Sequence, residues 1–303
     1  MKGISPVIFS LDGHPLVKNL CHSLDAEKGL INTRDFPDGE SYLRIESAVI
    51  SRHCIIVVDL SYPNSKFLPL SFLSATLKEL GAESVGLVAP YLSYMRQDRR
   101  FVDGEAVTSR IFAKLISQQM DWLVTVDPHL HRYHSLDEIY DIPSKVVQGA
   151  PLLAEWLKSQ NDVFLVGPDA ESEQWVSQIA DYSGHAFVIG EKQRQGDREV
   201  VVNLPDLAVF KGKTAVIIDD VISSGHTVLE CINMLHIKGI TKIVCACVHG
   251  IFADGIDNVL LASGLQQLVT TNTITHSSNQ LDITHLLTSP IKEHLSIKRV
   301  KKS

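Results

Sequence analysis

The chain holds little that would place it outside the cytoplasm, in a membrane or on a nucleic acid. Its five cysteines are Cys21, Cys54, Cys231, Cys245 and Cys247. The count is odd and no pair is spaced C-x-x-C, so neither a disulfide framework nor a zinc ribbon is expected. Reduced thiols in a cytoplasmic protein are the simplest reading. No apolar run approaches the roughly 20 residues that a membrane span needs. The N-terminal run in MKGISPVIFSLDGHP meets Asp12 and Gly13 too early to be a secretion signal. A formal net charge of -7 gives no global basic field for nucleic acid, although local basic patches for phosphate remain open. Short-period repeats and low-complexity tracts are absent, as are a Ser-His-Asp triad pattern and a reactive-cysteine signature.

What is present is an ordinary globular balance, 303 residues with 45% hydrophobic and 21% charged. At about 150 residues per domain, two domains are expected. Short apolar runs recur: SPVIFSL, CIIVVDL, SVGLVAPY, WLVTVDPH, VFLVGPD, AFVIG, AVIIDD, KIVCACVHG and QLVTTNT. They are nearly continuous rather than alternating, which suits parallel strands covered on both faces. In KIVCACVHG, Cys245 and Cys247 fall on one face, where packing is the simplest role. Between several runs lie helical patterns. One is NSKFLPLSFLSATLKELGAE, with Asn64 as the expected N-cap and Gly81 as the stop. The others are GEAVTSRIFAKLISQQ, SEQWVSQIADYSG and GHTVLECINMLHIKG. The alternation predicts an α/β fold. It happens twice, so we expect two tandem similar domains, each a mostly parallel sheet flanked by helices. The boundary is expected in DIPSKVVQGAP, giving domains 1–146 and 147–303, and the basic tail KRVKKS is expected to be solvated. Several strand runs turn polar at their carboxyl ends, where ligands bind in open α/β sheets.

One stretch poses a specific question. In AVIIDDVISSGHTV (215–228) an apolar strand meets two carboxylates, Asp219 and Asp220, where it is expected to stop, and a small polar loop then opens a helix. Backbone N–H groups of a Ser/Gly loop at a helix N-terminus cradle phosphate. Ser223, Ser224 and Thr227 add hydroxyls, and Gly225 permits close approach of the backbone. Carboxylates repel phosphate but accept hydrogen bonds from vicinal hydroxyls, so the combination points to a ribose 5-phosphate. A buried strand ending in an Asp turn and a helix cap is the plainer explanation of the same residues.

AVIIDDVISSGHT resembles the phosphoribosyl-pyrophosphate motif of the type I phosphoribosyltransferase fold. Further stretches narrow the resemblance: FPDGE (36–40), RQD (96–98), DPH (127–129), GPDAES (167–172) and KQR (192–194) stand in the order seen in ribose-phosphate pyrophosphokinases. Each is weak alone and five in order are strong; the resemblance runs from about Asp12 to about Thr273.

The resemblance implies roles residue by residue. FPDGE by itself is a Pro-Asp-Gly turn; the family assigns Phe36 to stacking on adenine and Asp38 and Glu40 to its amino group. In the family this loop reaches a neighbouring subunit, which implies a homo-oligomer built from dimers. Arg96 and Gln97 are implied ATP contacts, with Asp98 helping to shape their loop; Arg99 and Arg100 are left as solvated or phosphate-steering. His129 and Asp169 are the implied Mg²⁺ contacts. His131 and His134 are not assigned, since H-x-H-x-x-H without further ligands is weak for zinc. Lys192 and Arg194 are implied on a closing loop, stabilising charge on the transferring group, with Gly196 as a hinge. Asp219 and Asp220 would hold the ribose hydroxyls, and Ser223, Ser224, Gly225, His226 and Thr227 the 5-phosphate. Glu171 and Ser172 depart from the family, whose members often have glycines there. The implied reaction is transfer of pyrophosphate from ATP to ribose 5-phosphate, which needs positioning and charge neutralisation rather than a covalent nucleophile. A phosphoribosyltransferase and a non-catalytic relative of the synthetase stay open as alternatives.

Overall fold

The computed structural model of this protein describes residues 5–130, 132–195 and 199–296. They form two compact units. One is the chain through Val147 together with the segment from Thr284, and the other is Gln148–Ile283.

The first unit opens with β1 (Val7–Phe9), α1 (Leu16–Ser23) and β2 (Glu27–Lys28), then makes a hairpin of β3 (Ile31–Asp35) and β4 (Ser41–Ile45). It continues through β5 (His53–Val57), α2 (Pro63–Glu79), β6 (Ser84–Ala89), α3 (Thr108–Gln119), β7 (Trp122–Val126) and β8 (Ser144–Val147). Apart from the hairpin, the strands make one sheet in the order β2-β1-β5-β6-β7-β8, every pairing parallel. β6 and β7 are buried along their whole length. That is why their sequences are continuously apolar.

The second unit runs α4 (Ala150–Lys158), β9 (Val163–Gly167), α5 (Glu173–Ser183), β10 (Phe187–Ile189), a hairpin of β11 (Glu191–Gln195) and β12 (Glu199–Asn203), β13 (Thr214–Ile222), α6 (His226–Ile237), β14 (Ile243–Gly250), α7 (Ile256–Ala262), β15 (Gln267–Thr271) and β16 (Asn279–Leu281). Its sheet order is β10-β9-β13-β14-β15-β16, again wholly parallel. The two sheets have the same order, and each unit inserts its antiparallel hairpin at the same point in the chain. In each, strand order reverses beside the first long strand, between β1 and β5 and between β9 and β13. Those are the topological switch points, outside whose carboxyl ends ligands bind.

The expected tandem α/β architecture is observed, with local differences. The expectation assigned 147–303 to the second domain, but the last helix, α8 (Thr284–Ser296), belongs to the first unit. Its buried face is Thr284, Leu287, Ile291 and His294, a helical spacing. Burial of Leu287 and Ile291 contributes at most about 2 kcal/mol each. The ring of His294 stacks on Trp122 of β7 at 4.9 Å and 6°, and Lys145 pairs with Glu293 at 3.0 Å.

The strand β13 does not stop at the acids; it continues through Asp219 and Asp220 to Ile222, still paired with β14 at Val221 and Ile222. The expected Asn64 cap is also displaced. α2 starts at Pro63 with Tyr62 as N-cap at φ 51°, because proline fits the first helical position and its missing N–H costs nothing there. Asn64 accepts a hydrogen bond from the Tyr94 hydroxyl instead.

Candidate active site

In the second unit the candidate residues collect at the switch point. β9 and β13 are neighbours in register, Val166 opposite Ile217, and acids stand near the carboxyl end of each. Asp169 follows β9, and its Oδ1 accepts from the Ser172 N–H at 3.2 Å while the Ser172 hydroxyl donates to the Asp169 carbonyl at 2.6 Å. With the Asp169 N–H donating to Ser172 Oγ at 3.5 Å, a capping box opens a short 3-10 turn, Ala170–Ser172, ahead of α5. Ser172 therefore closes the turn on Asp169, and Glu171 beside it is exposed. A side chain at Gly167 would meet the Ser172 Oγ at 2.6 Å, so the turn is tight on the strand end.

On β13, Asp219 Oδ1 accepts from the Asp220 N–H at 2.9 Å and Asp220 Oδ1 from the Val221 N–H at 2.8 Å. The dense protein around the Asp219 carboxyl, then the Asp220 charge and the more distant Asp169, push its pKa well above the carboxylate range. Hydroxyl donors or a cation brought to this pair would favour its ionised form and draw the raised pKa of Asp219 back down. Behind it the thiols of Cys231, Cys245 and Cys247 are raised by burial first, which leaves them packing groups.

The loop that follows leads into a helix start with free N–H groups, a geometry that can receive an anion. Gly225 is the N-cap of α6 at φ 67° and no side chain caps that end. The helical ladder begins with Leu229 N–H to Gly225 C=O at 2.9 Å. The N–H groups before it, on His226, Thr227 and Val228, have no intrahelical acceptor, as at any helix start. The loop rests on a turn after β14. The N–H groups of Ile251 and Phe252 donate to the Ile222 carbonyl at 2.9 and 3.1 Å, and that of Ala253 donates to Ser223 at 3.0 Å. Ile256 lies so close that a Cβ at Gly225 would stand 2.5 Å from its Cγ1. The start of α7 is held by Asp257, which pairs with His276 at 3.4 Å. Lys192 and Arg194 fall on β11, opposite Val202 and Val200. Their side chains lie outside the described residues, as do Gly196 and His131.

In the first unit Phe36, Asp38 and Glu40 occupy the turn of the β3–β4 hairpin, all exposed. The turn is closed by Phe36 N–H to Glu40 C=O at 2.7 Å and Gly39 N–H to Phe36 C=O at 2.9 Å. Arg34 lies over the rings of both Phe36 and Tyr42, 4.4 and 4.7 Å from their centroids. Arg96, Gln97 and Asp98 follow β6. Arg96 is exposed, while Asp98 is buried and its carboxylate is held by Arg132 at 2.6 Å. His129 follows β7 in a left-handed conformation, φ 55°, beside Asp127 at φ 32°. Such backbone in a non-glycine residue costs about 1 kcal/mol or more and gathers at functional sites. The first unit's own switch point is filled from within. Lys66 Nζ reaches the Asp59 carbonyl and carboxylate at 2.8 and 2.9 Å and the Ser61 hydroxyl at 3.4 Å. The position equivalent to the β13 loop is thus taken by an internal ion pair.

Comparison with known proteins agrees with this division. A family model for the N-terminal domain of ribose phosphate pyrophosphokinase matches residues 6–119, and a phosphoribosyl transferase domain matches residues 135–259. The ribose-phosphate pyrophosphokinase of Methanopyrus kandleri is 31% identical over 281 residues, covering 91% of this chain and 95% of that protein. Its counterpart from Sulfolobus acidocaldarius is 32% identical over 258 residues, covering 84% of this chain and 87% of its own. The chain belongs to the ribose-phosphate pyrophosphokinase family. By that membership it is an enzyme, a transferase of nucleotide biosynthesis. The fold agrees as well. The crystal structure of phosphoribosylpyrophosphate synthetase from Mycobacterium smegmatis superposes with a TM-score of 0.83 at 24% identity, covering 96% of this chain and 99% of that one.

Against this pyrophosphokinase frame, sequence reasoning missed the residues that hold the loops in place. Arg34, Arg132, Tyr133 and Ile256 act on candidate loops from other elements or from outside the motifs, and Lys66 ties up the acid after β5. Only proximity in the fold reveals them. The Ile-Phe-Ala turn after CVHG supplies the buttress under Ser223.

Proposed function

We propose that the chain transfers the pyrophosphoryl group of ATP to O1 of ribose 5-phosphate. The O1 hydroxyl releases its proton to solvent, a bond forms from O1 to the β-phosphorus, and the bond from that phosphorus to the α–β bridging oxygen breaks, its electron pair leaving with AMP. AMP leaves, and 5-phosphoribosyl 1-pyrophosphate is the product. The observation that carries this reading is the end of β13. There a carboxyl pair suited to ribose hydroxyls is followed, after the last two residues of the strand and a Ser-Ser-Gly loop, by an uncapped helix start suited to phosphate, in a chain of this family.

Asp219 and Asp220 take the ribose hydroxyls. The N–H groups and hydroxyls of Ser223, Ser224, Gly225, His226 and Thr227 take the 5-phosphate. Phe36 offers its ring to adenine, Asp38 and Glu40 accept from the base's amino group, and Arg96 and Gln97 bind ATP. Lys192 and Arg194 neutralise charge on the group in flight. The family's reaction implies Mg²⁺. Among the described residues no three His, Cys, Asp or Glu side chains are arranged to hold a metal. Mg²⁺ is commonly held by one or two protein groups plus substrate phosphates and water. Asp169 and His129 are each proposed as such a contact, and the carboxylate is the hard donor of the two. Bound there, the cation would offset phosphate charge. The free cysteines and the exposed hairpin turn support a cytoplasmic homo-oligomer built from dimers.

The test is to mix purified protein with ATP, Mg²⁺ and ribose 5-phosphate and to follow AMP by chromatography, with sugar-free and metal-free controls. AMP that needs every component, matched by phosphoribosyl pyrophosphate, is expected. Nucleotide binding without AMP would instead identify a non-catalytic relative.

A further inference from the structure

A buried carboxylate must be paired or it will not stay ionised. The Asp98 side chain is 4% exposed, and its partner comes from the next strand's loop. Arg132 Nη1 stands 2.6 Å from Oδ1, with a side chain that is 44% exposed. The following residue adds a second tie. The Tyr133 hydroxyl donates to the Asp98 carbonyl at 3.1 Å and accepts from Arg110 Nε at 3.2 Å, with Ser109 Oγ also at 3.2 Å. One hydrogen and two lone pairs are thereby all engaged. Helix α3 joins the same knot, because the Ser109 N–H donates to the Gln97 carbonyl and the Thr108 hydroxyl to Gln97 Oε1, both at 3.3 Å. A third tie is aromatic. The exposed ring of Phe101 lies 4.8 Å from the Arg99 guanidinium carbon and 5.6 Å from that of Arg132.

Resting on the pyrophosphokinase reading, we propose that Arg132 and Tyr133 are positioning residues for ATP. Together they clasp the loop that carries Arg96 and Gln97 to the loop that carries His129. Neither residue touches substrate in this scheme. Arg96 and Gln97 stand immediately before Asp98, so the conformation of that backbone is set by what holds Asp98. His129 lies three positions before Arg132 on the same segment. The nucleotide loop and the metal loop are therefore fixed to each other by one guanidinium and one phenol, and loosening either should disorder ATP contacts without touching the sugar-phosphate loop of the other unit.

The experiment compares the full chain with Arg132→Ala, Arg132→Lys and Tyr133→Phe in the AMP-release assay. Each is checked first for a cooperative melting transition, which Arg132→Ala should lower because it leaves the Asp98 carboxylate buried without its cation, and all are assayed well below their own transitions. For Arg132→Ala the KM for ATP should rise about tenfold, the effect expected for a lost charge-assisted hydrogen bond. The KM for ribose 5-phosphate should stay within twofold. Arg132→Lys should recover most of the loss, since an ammonium still neutralises Asp98. Tyr133→Phe should raise the ATP KM by roughly threefold or more. Asp98→Asn added to Arg132→Ala should restore part of the affinity, because a neutral amide needs no cation. An ATP KM within twofold of wild type in Arg132→Ala overturns the proposal, as does an equal rise for both substrates. So does a fall in kcat with both KM values unchanged. If the wild-type chain releases no AMP, the functional reading fails on its own. A fluorescent ATP analogue then decides the clasp by its Kd for wild type against Arg132→Ala, with equal values overturning it.

Discussion

Replacing Gly225 by alanine tests how the sugar-phosphate loop is built. Two costs fall on the added methyl. The residue sits at φ 67°, where an L side chain costs about 1–2 kcal/mol. The Cβ would also stand 2.5 Å from Ile256 Cγ1 and 3.3 Å from its Cγ2, and overpacking of this kind costs roughly 1–3 kcal/mol. The total is about 2–5 kcal/mol against a typical domain stability of about 5–15 kcal/mol. The chain can lose that stability outright or relieve it by shifting the loop, which would misplace the N–H groups of α6. Urea denaturation reads the first, and the KM for ribose 5-phosphate reads the second. The clash is separable from the backbone cost. Ile256→Ala removes the colliding atoms at its own expense of roughly 2–4 kcal/mol, so the double variant should lose about 1–3 kcal/mol less than the sum of the singles. Wild-type stability and KM in Gly225→Ala would refute the reasoning, and so would a cycle that is additive within about 0.5 kcal/mol.

Two other expectations follow from titrating groups. Asp219 holds its proton to higher pH in the folded chain than in the unfolded one. Its ionisation therefore costs stability as pH rises above the ordinary value of about 3.9. Asp219→Asn should be more stable than wild type at pH 7 in urea titrations, the gain shrinking as pH falls toward 4, while the KM for ribose 5-phosphate rises; equal midpoints at pH 7 would count against the electrostatic account. His294 runs the other way. Burial, with the Lys145 charge next, lowers its pKa below the ordinary histidine value, and its Nε2 has no hydrogen-bond partner. The unfolded chain therefore takes up a proton that the folded one resists, and stability is lost as pH falls through 6.5 and below. His294→Phe keeps the stack on Trp122 and should flatten the dependence of the urea midpoint between pH 7 and 5. A variant with the wild-type slope would show that His294 does not cause it.

The fold was legible where burial leaves its mark on composition. β6, β7, β9 and β14 are covered on both faces, so their residues are almost all apolar and the strands announce themselves. The hairpin of β3 and β4 is exposed along much of its length and carries Asn32, Thr33, Arg34 and Asp35. It offered no such pattern, and FPDGE read as a turn without its strands. α8 was missed as part of the first unit because nothing in its spacing names the surface it covers; Trp122 and Lys145 stand far back in the chain.

Sequence by itself determined the chemistry of the candidate site. Two acids ahead of a Ser-Ser-Gly-His-Thr loop can serve only a few ligands, because hydrogen-bonding capacity and charge belong to residue types and adjacent residues stay adjacent after folding. Tertiary structure decided what holds those groups and in what state. That Asp219 resists ionisation, that Gly225 yields to Ile256, that Lys66 closes the first unit's equivalent crevice and that Arg132 grips Asp98 across 34 positions all depend on packing between distant segments. No local pattern encodes such packing, since burial and Coulomb interactions act through space, whichever part of the chain supplies the partner.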